Sequence, residues 1–112
     1  MFAKADCTPF HDVIQGIEKR TLVYGEKTLM VEFRLQKGSA LPSHVHPHEQ
    51  TGYLIDGRIQ LTIGDQTHDV ATGDSWCIPG DVAHGALCLE DAVAVEVFAP
   101  LREDYLPGSE GH

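Results

Sequence analysis

Residues 38 to 57 read GSALPSHVHPHEQTGYLIDG and carry three histidines at alternate positions: His44, His46 and His48. On an extended strand, side chains two residues apart point to the same face. His44 and His46 can therefore direct both imidazoles at one point, which is what a bound metal ion requires. Imidazole nitrogen suits Zn, Cu, Fe and Ni, and oxygen ligands extend the choice towards Mn.

Two further parts of the sequence offer ligands to the same ion. Gln50 supplies a neutral oxygen four residues after His46, and Glu49 supplies a charged oxygen beside it. Downstream, residues 73 to 85 read GDSWCIPGDVAHG and offer His84. Three histidines with one oxygen ligand would make a half-open site for Ni, Fe, Mn, Co, Cu or Zn.

The first segment resembles the first motif of the cupin superfamily, G-x5-H-x-H-x3,4-E-x6-G. The motif falls on Gly38, His44, His46, Gln50 and Gly57, with glutamine where the family usually has its acidic ligand. The resemblance implies that the two histidines and Gln50 bind a metal. Glu49 is the alternative fourth ligand, and Gln50 is favoured because three residues separate it from His46, a spacing that the motif allows.

The second segment resembles the second cupin motif, G-x5-P-x-G-x2-H-x3-N. Gly73, Pro79 and His84 match it, whereas Asp81 replaces the motif glycine and Cys88 replaces its asparagine. The resemblance implies that His84 completes the set of metal ligands. It also implies an all-β, single-domain fold, the double-stranded β-helix or jelly-roll barrel of the cupins.

Glutamine at position 50 affects the charge of the predicted site. A glutamate ligand would cancel one of the two positive charges of a divalent ion, whereas glutamine cancels neither. The more positive centre attracts anions and is the stronger Lewis acid. The same residue removes the two-histidine, one-carboxylate pattern of non-haem iron oxygenases, which disfavours oxygen activation.

The last part of the chain resembles a particular group of small cupins. Residues 95 to 107, VEVFAPLREDYLP, are similar to the terminal segment of the KdgF-type cupins of pectin and alginate breakdown, which open the ring of 4,5-unsaturated monouronates. Their pattern D-x-F-x-x-x-R falls on Glu96, Phe98 and Arg102, with glutamate for aspartate. The resemblance implies that Glu96 moves protons, Phe98 shapes the pocket and Arg102 holds the substrate carboxylate.

The terminal strand allows two arrangements. Valines occupy positions 93, 95 and 97, and they alternate with residues that include Glu96. Either the valines face the core and Glu96 faces solvent, or Glu96 and Phe98 line the barrel mouth and the valines pack outside. Arg102 correspondingly reaches over the mouth or forms a surface salt bridge with the acidic residues that follow it. The KdgF-like pattern favours the arrangement with Glu96 inside.

The resemblance predicts an enzyme that catalyses ring opening and ketonisation of unsaturated monouronates. The alternatives are a metal-dependent dioxygenase, a sugar isomerase, or a cupin that binds a small molecule without turnover, since one fold hosts many chemistries. Trp76 is expected to be a core or cleft-wall aromatic residue.

The bulk composition restricts the partners. The chain has 112 residues, the size of one domain. Its net charge is −9 with neutral histidines, so it lacks the basic surface that nucleic acids or anionic membranes require. We expect a small acidic sugar or another small organic acid, because a divalent cation and one arginine reverse the field locally. We also expect a homodimer formed through exchanged edge strands.

Cysteine usage and the N-terminus predict a cytoplasmic location. Cys7, Cys77 and Cys88 are odd in number and show no C-x-x-C spacing, which favours reduced thiols. Residues 1 to 12 lack the apolar run of a signal peptide, and no stretch approaches transmembrane length.

Turn signals between short apolar runs predict eight or more strands. Residues 28 to 36 alternate as a half-buried antiparallel strand does. Strands are also predicted at 14 to 17, 84 to 89 and 92 to 98, with a two-residue hairpin at Asp56-Gly57. We divide the chain into an N-terminal arm with the first strands (1 to 24), the barrel (25 to 107) and a flexible C-terminal tail (108 to 112).

Overall fold

Eight β-strands account for most of the chain in a computed structural model, which describes residues 1 to 108. Their bounds are β1 His11–Ile14, β2 Ile17–Tyr24, β3 Leu29–Leu35, β4 Ala40–His44, β5 Glu49–Ile63, β6 Gln66–Ala71, β7 Ser75–Ile78 and β8 His84–Ala99. One turn of 3-10 helix, Glu103–Tyr105, follows β8. Most of the predicted tail, residues 109 to 112, lies outside the described residues.

Two long strands, β5 and β8, run through both halves of the barrel. They pair antiparallel from Glu49 with Ala99 to Ile63 with His84. The end of β8 also pairs with β3 and its beginning with β4. The beginning of β5 pairs with β7 and its end with β6. The larger half of the sheet therefore has the order β1-β2-β3-β8-β5-β7, and the smaller half has the order β4-β8-β5-β6. This arrangement confirms the all-β cupin fold.

The predicted hairpin at Asp56-Gly57 is wrong, because β5 continues through it to Ile63. The pairing of β5 with β8 shifts register around this dipeptide. Gly57 has a φ of 95°, and a Cβ there would lie 2.2 Å from the carbonyl oxygen of Asp91. Asp56 and Gly57 thus form a bulge that bends β5, so that the strand passes from one half of the sheet to the other.

Two other predicted boundaries are also wrong. The break between strands 84 to 89 and 92 to 98 lies inside the continuous strand β8. The strand predicted at 14 to 17 is interrupted by Gly16, whose φ of 85° allows the turn between β1 and β2. Strands β1 and β2 join the same sheet as the barrel strands.

The core lies between the two halves of the sheet, and both halves contribute side chains to it. Its buried members are Ile17, Leu35, Leu54, Ile59, Leu61, Val70, Ile78, Cys88, Ala92 and Ala94. A second buried cluster of Leu29, Val31 and Phe98 packs against Tyr105 of the segment after β8. In the described part of the chain, no helix is long and apolar enough to cross a membrane.

Candidate metal centre

Three histidine side chains converge at one end of the barrel. His44 ends β4, His46 lies in the loop that follows, and His84 begins β8 directly opposite His44. One ring nitrogen from each lies within 4.8 Å of the other two. His46 and His84 are only 8% and 3% exposed. The two separate segments of the sequence therefore bring their histidines to one place.

Backbone hydrogen bonds orient two of the three rings. Nδ1 of His44 lies 3.0 Å from the carbonyl oxygen of Pro42, and Nδ1 of His84 lies 2.9 Å from that of Val82. A carbonyl oxygen only accepts, so Nδ1 carries the hydrogen and Nε2 keeps its lone pair. Nε2 of His84 is buried and has no hydrogen-bond partner among residues 1 to 108. A buried lone pair held in this way fits a metal ligand.

Gln50, and not Glu49, faces the histidines. Its Oε1 lies 2.8 Å from Nε2 of His46, and the residue is 5% exposed. Glu49 is exposed, because adjacent residues of a strand point to opposite faces. Three imidazole nitrogens and one amide oxygen are a donor set that could hold a divalent first-row metal ion.

The local electrostatics favour the neutral form of the buried histidines. Burial lowers the pKa of His46, because desolvation disfavours the charged imidazolium, and the positive charge of Arg102 acts in the same direction. Burial likewise lowers the pKa of His84. A histidine must be neutral to bind a metal, so these shifts favour the state that is competent for binding.

A carboxylate lies next to the candidate ligands inside the barrel. Nε2 of Gln50 donates a hydrogen bond to Oε2 of Glu96. Burial raises the pKa of Glu96 to about 7, against the opposing effects of that hydrogen bond and of Arg102. Glu96 and Phe98 both line the internal cavity, whereas the three valines of β8 remain partly exposed outside. Of the two arrangements that the sequence allows, the structure has the one with Glu96 inside.

Arg102 lies over the mouth of the cavity, and its side chain is 13% exposed. The guanidinium carbon is 3.9 Å from the ring centroid of Tyr105 and 5.2 Å from that of Phe98. Its Nη2 and Nε also donate to the carboxylate of Asp104, at 2.9 and 3.3 Å. Arg102 therefore lines the cavity and forms the local salt bridge at the same time.

The cavity beneath these residues has a volume of about 70 Å³. Apolar side chains, among them Phe33, Ile59 and Leu61, form most of its wall, and the polar groups gather at the end with the histidines. Tyr105 also lines it, and its backbone carbonyl accepts a 2.5 Å hydrogen bond from Oγ1 of Thr21. The sequence did not single out Tyr105 as a residue of the site. The one available signal was its position three residues after Arg102, in the same segment.

Comparisons with known proteins identify the family and agree with the fold. Residues 31 to 99 match the family Cupin_2, the cupin domain. The chain is 28% identical over 103 residues to the pectin degradation protein KdgF of Dickeya dadantii (strain 3937), covering 90% of this chain and 94% of that protein. The structure of KdgF from Halomonas sp. has a TM-score of 0.89 at 26% identity, covering 95% of this chain and 98% of that one.

A more distant similarity covers part of a larger enzyme. The chain is 31% identical over 77 residues to the oxalate decarboxylase OxdC of Bacillus subtilis (strain 168), covering 64% of this chain and 20% of that protein. The predicted resemblance to small cupins of the KdgF type is thus confirmed by relatives that match along nearly the whole chain.

Proposed function

The chain belongs to the cupin family, and we propose that it is a metal-dependent enzyme that opens the ring of 4,5-unsaturated monouronates. The observation that carries the proposal is the connection from His46 through Gln50 to Glu96, which places a buried carboxylate beside candidate metal ligands. Similarity to a pectin degradation protein over 90% of the chain supports the substrate class.

Four residues would hold the metal: His44, His46, Gln50 and His84. A bound divalent ion, whether Ni, Fe, Mn, Co, Cu or Zn, would supply Lewis-acid polarisation of substrate oxygens. Because Gln50 is neutral, the ligand set would leave the ion's double positive charge uncancelled, which suits an acidic sugar. The oxalate decarboxylase of Bacillus subtilis carries Mn(II) centres.

Glu96 would carry out the proton transfers of the reaction. Its carboxylate accepts the proton of the anomeric hydroxyl while the bond between C1 and the ring oxygen breaks, which leaves an aldehyde at C1 and an enolate at C5. The protonated Glu96 then delivers that proton to C4, and the C5 ketone forms. The proton count balances, so the reaction is an isomerisation that needs no further reactant.

Arg102 would bind the carboxylate of the sugar, and Phe98 would form the adjacent wall. The planar guanidinium can exchange Asp104 for the incoming carboxylate and hold it by two parallel hydrogen bonds. The cavity is far smaller than the roughly 300–1,000 Å³ of typical ligand pockets. Entry of a monosaccharide therefore requires outward movement of the segment that carries Arg102 and Tyr105.

The test is turnover of unsaturated galacturonate by the metal-loaded protein, followed through the absorbance of its C4–C5 double bond. We expect decay faster than background, loss of activity after chelation of the metal, and recovery when metal is added back. Arg102→Ala should raise KM, whereas Arg58→Ala, at an exposed ion pair with Asp69, should not. Decay at the background rate would reject the proposal.

We propose a small acidic sugar as the partner and the cytoplasm as the compartment. The net charge of −9 disfavours nucleic acid and anionic membrane surfaces as partners. Within the described residues all three cysteines are free thiols, which suits a reducing compartment.

A further inference from the structure

A row of three residues crosses the inner face of the sheet beside the candidate metal centre. Gly52 of β5 lies directly opposite Trp76 of β7 on one side and Glu96 of β8 on the other. Gly52 is an inward position, because it is buried together with Gln50 and Leu54 while the residues between them are exposed. Opposed residues of an antiparallel pair share a face, and both Trp76 and Glu96 line the cavity.

The absence of a side chain at Gly52 makes room for the indole of Trp76. A Cβ at this position would lie 2.1 Å from Cε2 of Trp76 and 2.3 Å from Cζ2 and Nε1. Non-bonded heavy atoms attract best at about 3.5–4.0 Å, so the ring occupies the volume that a larger residue would take. The indole therefore packs directly against the backbone of Gly52, with its nitrogen edge at this residue.

The nitrogen of this indole is a buried donor. Nε1 of Trp76 has no hydrogen-bond partner anywhere in the described residues 1 to 108. An indole N–H only donates, so it is satisfied only by an acceptor. The cavity wall includes the apolar residues Ile59, Leu61 and Ala94, and its polar residues, Glu96 among them, do not accept from this N–H. Because buried polar groups are paired in nearly all proteins, the acceptor is best supplied by a bound ligand.

We propose that Trp76 is a specificity-determining residue whose indole N–H donates a hydrogen bond to an oxygen of the ligand in the cavity. Gly52 leaves the space that the indole occupies. The inference rests on the proposed function for the ligand class, a sugar acid with hydroxyl and ring oxygens that accept hydrogen bonds. A hydrocarbon ring with the same carboxylate leaves the N–H unpaired, so Trp76 discriminates between the two rings.

The composition of the chain allows a test at the level of one atom. It contains one tryptophan, so replacing all tryptophan by 3-benzothienylalanine in an auxotrophic host changes Trp76 alone. This analogue keeps the fused ring and exchanges N–H for sulfur. Trp76→Phe removes the N–H by mutation, and Cys77→Ser, at an exposed position on the same strand, is the matched control. Metal content and thermal unfolding are measured for each protein.

The probe is galacturonate, the saturated sugar acid, titrated into metal-loaded protein by calorimetry beside cyclohexanecarboxylate. We expect both proteins that lack the N–H to bind galacturonate about tenfold more weakly, as loss of one hydrogen bond predicts. The affinity for cyclohexanecarboxylate should be unchanged, and Cys77→Ser should match the unaltered protein. Equal affinity for galacturonate in all four proteins, or no binding to the unaltered protein, would overturn the inference.

Turnover of unsaturated galacturonate separates this inference from the proposed function. If galacturonate binding depends on the N–H but the ring is not opened, the role of Trp76 stands and the proposed function fails. If the ring is opened with the same kcat/KM in the absence of the N–H, and galacturonate binding is also unaffected, the proposed function stands and the role of Trp76 fails.

Discussion

Glu96 is the residue on which the proposed proton transfers depend, because its carboxylate is held inside the cavity by the amide of Gln50. Glutamine in its place keeps the size of the side chain and removes its capacity to take up a proton. We expect Glu96→Gln to lower the rate of ring opening by about 100-fold or more, the usual contribution of general acid–base catalysis. Steady-state kinetics at a fixed metal content would measure this.

The matched control for this substitution is Glu90→Gln, which removes an exposed carboxylate from the same strand. It should leave the rate unchanged. Equal rates for the two variants would show that Glu96 has no part in proton transfer. Glu96→Asp shortens the side chain to the aspartate of the KdgF-type pattern, and it should retain more activity than Glu96→Gln because the carboxylate is kept.

The three cysteines should differ sharply in reactivity. Cys7 and Cys77 are exposed, whereas Cys88 is 1% exposed and its thiol donates to the carbonyl oxygens of Leu35 and Glu90. Burial raises the pKa of the Cys88 thiol, and the charge of Asp91 acts in the same direction. The reactive form of a cysteine is the thiolate, so Cys88 should be inert in the folded protein.

A colorimetric disulfide reagent at pH 8 should therefore titrate the two exposed thiols quickly, and the third only after unfolding in guanidinium. Cys88→Ala should give the same fast signal in the folded protein and no additional signal on unfolding. Rapid reaction of three thiols in the native protein would contradict the buried position of Cys88.

The bend in the long strand β5 should depend on Gly57. Its φ of 95° lies in the region that favours glycine, and a Cβ would lie 2.2 Å from the backbone oxygen of Asp91 and 2.6 Å from Cα of Ala92. Both obstacles are backbone atoms of β8, so they cannot rotate away. We expect Gly57→Ala to lower the free energy of unfolding by about 2–4 kcal/mol, from backbone strain together with overpacking.

Urea denaturation would measure this loss, with Gly25→Ala as the control. Gly25 is exposed, and a Cβ there would meet no atom within 4 Å. Its replacement should change the free energy of unfolding by less than about 1 kcal/mol. If both variants unfold at the same urea concentration, the bend does not require glycine.

The same bend shows which elements the sequence can predict. The alternation of β3 and the glycine turn after β5 are local signals, and the structure has a strand and a turn there. A dipeptide such as Asp56-Gly57 permits either a hairpin or a bulge. The outcome depends on whether the flanking segments pair with each other or both with β8, and that choice is made by contacts distant in sequence.

The candidate site likewise has some features that the sequence predicts and others that depend on contacts distant in sequence. Motif spacing was enough to predict that His44, His46 and His84 come together, and the structure places them so. Their role as ligands stays a prediction, as does that of Gln50. The orientation of Trp76 could not be predicted, because it depends on the space that Gly52, on another strand, leaves by having no side chain. Such a contact exists only after the strands have paired.

The outer face of the larger half of the sheet carries a group of partly exposed apolar side chains. The three valines of β8, at 93, 95 and 97, are partly exposed on it. On the adjacent strand β5, Tyr53 and Ile55 are 49% and 48% exposed. Tyr53 lies directly opposite Val95, so these side chains form one continuous patch, which is bordered on β3 by Glu32 and Arg34.

In place of the exchange of edge strands expected from the sequence, we propose that this patch pairs with the same patch of a second copy, as in a symmetric dimer, where each subunit presents the same residues. Self-pairing buries the valines, and Glu32, which lies opposite Val95 on β3, keeps its ion pairs with Arg20 and Arg34. Light scattering coupled to size exclusion should then give about twice the chain mass of 12.3 kDa. Val95→Lys would place two lysines against each other across the interface, so this variant should elute as a monomer. The control is Leu87→Lys, at a 38% exposed position in the smaller half of the sheet, and this variant should remain dimeric. If the unaltered protein is a monomer, the proposal is rejected.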